Sequence, residues 1–396
     1  MSMDLKTARA LTSPEARETL VLFRNMADDP LSIQESFRGM FPEKVARAMG
    51  ELRALRRRAA QKFERGLDLF FTKQQLEQSS SERVATWRAR RFVEAGAEEV
   101  WDPCCGMGAD AIALGRAGLR VHASDCDPVA VHFARTNVET YGLDGRVEVG
   151  EADAAEVAAG ARFVYLDPAR RKGARRLIDP AQWSPAPDVV AAWLAGAEGA
   201  CLKLSPSIPV ESLLEHFPAP DEIEVVSLNG EVKEMVFWYG ALAGPDGRCA
   251  TILPEELSFR GDEEARAPVG EAAELLYDPD PALVRAGLLG RFAREHGLHV
   301  LDPEIGYLTG DAAVDSPFVD AFRVVAWAPL DPRKMRALLR DHEVGRLEIR
   351  KRGIAERPET LRKRLLPKPL GERHLTLVAV RVGDRHLGFL CEPPDA

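Results

Sequence analysis

The stretch "VWDPCCGMGADAIALG", residues 100–115, decides how the rest of the chain is read. An apolar run closes on Asp102, two cysteines and two glycines follow, and a small-residue apolar segment begins at Ala109. A strand turning sharply into a helix fits that order, because glycine at 106 and 108 lets the backbone bend tightly and approach a ligand. The loop is a poor P-loop, since Met107-Gly108-Ala109 supplies neither the lysine nor the hydroxyl that phosphate binding of that kind requires. It half-matches a dinucleotide loop, with Ala111 after Gly106-x-Gly108 at the permissive third position. A mutual disulfide between adjacent Cys104 and Cys105 would be strained, and none of the 6 cysteines forms a Cys-x-x-Cys pair. No metal or redox role is expected; the cysteines read as packed small residues lining a pocket.

Downstream the alternation continues. "LRVHASD", "RVEVGEAD", "ARFVYLD", "GACLKLS", "EIEVVSLNG" and "EMVFWYGAL" read as strands, and "VAVHFARTNVETYG" as an amphipathic helix closed by Gly142. Strands separated by helices predict a parallel, doubly wound α/β sheet of Rossmann-like type. Right-handed crossovers then bring every strand's carboxyl end to one edge, and Asp102, Asp125 and Asp167 all fall at such ends.

Upstream, "FPEKVARAMGELRALRRRAAQKF" and "SSSERVATWRARRFVEAG" have helical spacing and no strand pattern, which predicts a helical region over 1–95. The sheet domain is expected over 96–260, closed by the charged linker "FRGDEEARAPVGE". A smaller α+β domain is expected over 265–396. Its elements are a helix "PALVRAGLLGRFAREHG", a strand "AFRVVAWAPL", a helix "MRALLRDH", an extended "RLEIRKRG", and a hairpin turning at Gly383-Asp384.

The acids give the loop its ligand class. Asp125 lies about 20 residues beyond the loop, where a carboxylate can accept two ribose hydroxyls. "VEVGEAD" then ends in Asp153, a place suited to adenine, and "VYLDPARR" sets Asp167-Pro168 after the fourth strand, beside the group to be transferred. Loop, ribose acid, adenine acid and Asp-Pro in this order describe an S-adenosylmethionine (SAM) site, with Asp102 near the amino-acid end of the cofactor. A nicotinamide enzyme satisfies the first two acids as well.

The run from "VWDPCCGMGADAIALGRAGL" to "RTNVETYGL" resembles the core of class I SAM-dependent methyltransferases, nearest to the trimethylguanosine-synthase type with its Cys-Gly-x-Gly turn. With "LEQSSSERVATWRARRF", "LDPARR", "LKLSP" and "YDPDPALVRAGLL", the chain resembles bacterial proteins that join this core to a C-terminal THUMP-like domain. The resemblance implies SAM as cofactor and an RNA, tRNA first, as substrate. It places Asp102, Cys104, Cys105, Gly106, Gly108, Asp125, Cys126 and Asp153 against the cofactor. Asp167, Pro168 and Arg170 are then expected at the transferred methyl, with Arg171 and Lys203 on the substrate. One departure stands out. Amino-methylating relatives read Asp/Asn-Pro-Pro-aromatic where this chain has Asp167-Pro168-Ala169-Arg170. Arginine can stack on a base and hold a phosphate.

Composition sets the outer limits. A chain of 396 residues with 45% hydrophobic and 29% charged residues is long enough for two or three domains. It has no apolar run near the roughly 20 residues of a membrane span and no secretory signal pattern, so a cytoplasmic protein without membrane contact is expected. The net charge of −9 excludes a uniform nucleic-acid-binding coat, but residues 44–65 and 347–374 are locally basic. Those stretches fit contact with RNA phosphates. Two rivals stay open: a methyltransferase of proteins or small molecules, and a non-catalytic RNA-binding protein with a SAM-type pocket.

Overall fold

The computed structural model describes residues 3–24, 30–157, 160–169, 171–172, 175–176, 179–262 and 266–392. Contacts divide the chain into two units, Met1–Glu224 with Lys233–Pro245, and Val225–Val232 with Asp246–Ala396.

The first unit carries β1 (Glu99–Asp102), β2 (Arg120–Asp125), β3 (Val147–Glu151), β4 (Phe163–Leu166), the short β5 (Arg171–Lys172) and β6 (Arg175–Arg176), and β7 (Gly199–Leu204). Two strands, β8 (Glu222–Leu228) and β9 (Glu231–Gly240), follow. The sheet order is β3-β2-β1-β4-β7-β9-β8, and β1, β2, β3, β4 and β7 run parallel. Strands β4 and β7 are buried along their whole length, as the unbroken apolar runs of a two-sided sheet must be. The expectation of an all-parallel sheet is corrected beyond β7: β9, between β7 and β8, runs antiparallel to β7. Asn229 and Gly230, both at positive φ (54° and 74°), form the two-residue link from β8 to β9. So short a link joins only antiparallel strands, and Asn-Gly is the pair that such a turn favours.

The helices before residue 95 pack directly on the sheet unit. Phe37, Met49, Leu52, Phe70 and Phe71 share a core with Met107, Ala109, Val129 and Phe133. Asn137, buried on the helix Pro128–Thr140, is the polar joint: its Oδ1 accepts the Phe70 N–H (2.8 Å), and its Nδ2 donates to the carbonyls of Phe70 (2.9 Å) and Met107 (3.0 Å). A second joint is Arg88, on the helix Glu82–Glu94 that Ser81 caps. Its guanidinium is 2% exposed, pairs with Asp110 and Glu234, donates to Ser80 Oγ (2.8 Å), and lies 5.2 Å over the Tyr165 ring.

Part of the basic run at 44–65 turns inward. Arg56 donates to the carbonyls of Leu69 and Asp68 and lies over the Phe70 ring, and Arg53 donates to the Phe23 carbonyl. Lys62 donates to the Leu76 carbonyl, and burial pulls its ammonium down to about 8. These cations cap backbone carbonyls of the fold, leaving Lys44, Arg47, Arg57, Arg58 and Arg65 exposed.

The second unit contains an antiparallel pair, β10 (Arg248–Leu253) and β11 (Leu257–Gly261). It also holds β12 (Leu275–Pro279), β13 (His299–Val300), β14 (Leu308–Gly310), β15 (Val319–Pro329), β16 (Val344–Arg352), β17 (Arg373–Val382) and β18 (Arg385–Glu392). The last seven form a sheet in the order β13-β14-β12-β15-β18-β17-β16. Helices Pro332–Asp341 and Pro358–Leu365 cover one face through Met335, Leu339, Leu361 and Leu365. The β17–β18 hairpin turns at Gly383-Asp384, as its sequence predicts. The single helix expected over 281–297 is two, Pro281–Arg285 and Leu289–Glu295, because Gly287 takes a left-handed φ of 77° between them.

Arg88→Met leaves Asp110 and Glu234 buried without their cation. Removing one partner of a buried ion pair costs about 3–5 kcal/mol. Urea denaturation of the variant is expected to show a loss of that size, and a loss below about 1 kcal/mol would contradict the role given to Arg88.

Candidate functional site

Four strand ends and one loop converge. β1 ends on Asp102, which is fully buried; its Oδ1 accepts the Cys104 N–H (3.4 Å) and its Oδ2 has no hydrogen-bond partner among the described residues. Burial, with Asp110 adding to it, pushes the Asp102 carboxyl well above the usual carboxylate range. The loop then runs through Gly106 and Gly108, at φ of 56° and 84°. A Cβ on Gly108 would press on Ala134 Cβ at 3.3 Å, whereas one on Gly106 would stand in open space. Gly108 thus serves close packing of the loop on the helix behind it, and Gly106 faces room for a ligand.

β2 clamps that loop. Asp125 Oδ2 accepts the Gly106 N–H and Oδ1 accepts the Asp127 N–H, both at 2.9 Å, while the Cys105 N–H donates to the Ser124 carbonyl (2.9 Å). Burial raises the Asp125 carboxyl, and the backbone donors only partly offset it. At the end of β3 the Ala152 N–H donates to the Asp125 carbonyl (3.2 Å). Asp153, next along, is exposed and caps its own turn through the Ala155 N–H (2.9 Å). Cys126 is exposed beside Asp125.

β4 and β7 complete the edge. The Asp167 N–H donates to Cys104 Sγ (3.2 Å), tying the first loop to the fourth strand. Lys203, 5% exposed near the end of β7, donates to Asp167 Oδ2 at 2.5 Å. The sequence reading put Lys203 on the substrate; the structure turns it inward onto Asp167. Pro168 is buried and Ala169 exposed. Arg170 lies outside the described residues, and Arg171 opens β5. Burial pushes the thiols of Cys104 and Cys105 well up, which keeps them protonated and unreactive.

Beneath the loop sit residues that the sequence reading passed over: Arg88, Asp110, Glu234 and Ser80. Burial alone would raise the Asp110 carboxyl, but Arg88 and Lys203 outweigh it and hold it below its usual value. Arg88 and Arg91 among the apolar positions of the helix Glu82–Glu94 were the available signal. Arg91 pairs in turn with Glu222, and Glu224 accepts the indole N–H groups of Trp87 (3.0 Å) and Trp238 (2.8 Å). Among the described residues no group of His, Cys, Asp and Glu is placed to hold a metal, and no helix is long and apolar enough to cross a membrane.

Comparison with known proteins agrees with this geometry. Residues 97–169 match the RNA cap guanine-N2 methyltransferase family, and residues 319–393 match the THUMP domain-like family. Two proteins of Mycobacterium tuberculosis, from strains CDC 1551 and H37Rv, are each 34% identical to this chain over 328 residues, 82% of it and 88% of their own length. Both are named uncharacterized S-adenosylmethionine-dependent methyltransferases. The chain belongs to the SAM-dependent methyltransferases. A crystal structure of a Porphyromonas gingivalis W83 protein, provisionally described as a methyltransferase, shares the fold over 100% of both chains, with a TM-score of 0.76 at 21% identity.

SAM is the cofactor of this family, and the residues fit it. A buried carboxylate oxygen without a partner suits a cationic end group, and Gly106 leaves room where a side chain would intrude.

The raised Asp102 carboxyl has a stability consequence. A carboxyl whose folded pKa is raised costs nothing below its unfolded value near 3.9 and destabilises the fold as pH rises toward the folded value. Asp102→Asn should therefore melt above wild type at pH 8 without SAM, with the gap closing toward pH 4. A gap that widens as pH falls would contradict the assignment.

Proposed function

We propose that this chain transfers a methyl group from SAM to a base nitrogen of RNA, with tRNA as the first candidate, in the cytoplasm. The observation that carries the reading is Asp167-Pro168 at the end of β4, with Asp167 fixed from two sides by Cys104 and Lys203 and joined through Cys104 to the Asp102 loop. The match of residues 97–169 to an RNA methyltransferase family, and of 319–393 to a THUMP-like one, supports RNA over a protein or small molecule.

Each residue has a task. Asp102 Oδ2 would take the cofactor's ammonium, Asp125 its ribose hydroxyls, and Asp153 its adenine end, with Cys104, Cys105, Gly106, Gly108 and Cys126 lining the walls. SAM, when bound, supplies an electrophilic methyl on sulfur. Lys203 holds Asp167 Oδ2, so Oδ1 and the Pro168 carbonyl accept N–H groups of the acceptor amine. Those bonds aim the nitrogen lone pair and stabilise positive charge as it develops there. Asp167 is also the nearest base for the proton that the nitrogen gives up. A target base inside a duplex must first leave its stack, and Arg170 and Arg171 follow the motif where a flipped base would need support. Residues 1–95, 96–260 and 265–396 then divide the work into flank, catalyst and RNA-holding domain. In the last of these, Arg352 and Arg364 are spent on Asp278 and Glu356, which leaves Arg362, Lys363 and Lys368 exposed for phosphate.

Methyl-labelled SAM, offered with separate pools of unmodified tRNA, rRNA, DNA and protein, tests the reading. Label is expected in tRNA, and Asp167→Ala should lose at least about 100-fold in rate while still binding SAM. Label in the protein pool alone, or an Asp167→Ala variant as active as wild type, would overturn it.

A further inference from the structure

We infer that the helix Pro332–Asp341, joined to the helix Pro358–Leu365, is the face of the THUMP-like domain that holds the RNA phosphate backbone. This rests on the RNA reading above and adds to it a helix that has had only a packing role so far.

Placement comes first. Met335 and Leu339 of the first helix, and Leu361 and Leu365 of the second, are buried against the sheet. At 3.6 residues per turn, Arg333, Arg336 and Arg340 fall on one ridge of the first helix, away from that buried stripe, and all three are exposed. Arg336 ties the two helices together: its Nε and Nη2 donate to the Arg364 carbonyl in the last turn of the second helix (3.0 and 2.5 Å). The ridge therefore meets the end of the helix that presents Arg362 and Lys363, both exposed. Two helices make one cationic surface.

Charge is the second observation. Residues 331–368 hold 13 Arg and Lys against 6 Asp and Glu, in a chain of net charge −9. Within that span Arg346, Arg350, Arg352 and Arg364 pair with acids. Among the described residues no acid pairs with Arg333, Lys334, Arg340, Arg362 or Lys363. Their places on the helix do not serve folding. Arg333 and Lys334 stand in a first turn that has no acid, at the end of the helix dipole that disfavours cations. Asp331, the cap before them, accepts their backbone N–H groups (both 3.0 Å). Arginines three and four residues apart on one ridge also repel one another. A polyanion laid across the ridge meets these cations together and releases its own counterions on binding. From Arg333 to Arg340 the ridge rises about 10 Å, which a chain of phosphates spans and a single anion does not. Arginine's planar fork matches phosphate, and lysine adds a point charge.

Filter binding of an in-vitro-transcribed tRNA pool between about 50 and 200 mM KCl reads this face, because each phosphate contact contributes about 0.7–0.9 to the slope of log affinity against log salt. Arg333→Gln, Lys334→Gln and Arg340→Gln combined should flatten the slope by about 2 to 3 and leave SAM affinity and the melting temperature unchanged. Arg333→Lys with Arg340→Lys should preserve the slope. Arg323→Gln with Arg385→Gln, which removes exposed cations of the same domain outside the two helices, should leave it as in wild type. An unchanged slope in the triple Gln variant, or as large a flattening in Arg323→Gln with Arg385→Gln, would overturn this face and leave the RNA reading standing. A wild-type protein that neither binds nor methylates tRNA or rRNA, while binding phosphatidylserine vesicles or polyglutamate, would remove both.

Discussion

Arg88 is the point on which the rest of the first unit depends. Its guanidinium is buried between Asp110, at the first turn of the helix after the glycine loop, and Glu234 on β9, with Ser80 and the face of Tyr165 closing around it. One side chain from the helical region therefore fixes the helix that follows the loop, the antiparallel strand beside β7, and the strand that delivers Asp167. A buried cation between two carboxylates tolerates little movement, because separating any of the charges exposes it to a low-dielectric interior. The helices before residue 95 are thus part of the foundation of the glycine loop, and Asn137 ties Phe70 to Met107 of that loop.

The charge around the loop shows what that foundation prepares. Among the described residues Arg88 pairs with Asp110 and Glu234, and Lys203 with Asp167. Asp102 is the acid left over, buried with one oxygen unpartnered and its carboxyl held toward the neutral form. Under the proposed reading that acid meets SAM, which carries two positive centres against one carboxylate. On the other side of the site Lys203 is committed to Asp167, so under the proposed RNA reading the cations that meet phosphate come from elsewhere.

Much of this was legible in the sequence because it is written locally. The apolar runs ending in Asp102, Asp125 and Asp167 mark strand ends, the Gly-Met-Gly turn marks the loop, and Gly383-Asp384 marks a hairpin. What stayed hidden has long-range causes. Arg88 and Glu234 are 146 residues apart, and nothing in either segment announces the other. The inward turn of Arg53, Arg56 and Lys62 made a structural run look like an RNA-binding one, since a charged stripe carries no sign of which carbonyls it will cap. Strands β10, β11 and β12 escaped because the charge and prolines around residue 260 resemble a linker. Asn229-Gly230, by contrast, was a visible signal of the antiparallel edge and went unused.

Calorimetric titration of SAM and of 5′-methylthioadenosine, which lacks the amino-acid end, into wild type and Asp102→Asn tests most directly that the end of β1 is built for the cofactor's ammonium. The account predicts that wild type prefers SAM strongly and that Asp102→Asn loses most of that preference, with little change in its affinity for 5′-methylthioadenosine. The same preference in both proteins would show that the unpartnered carboxylate serves something other than the cofactor.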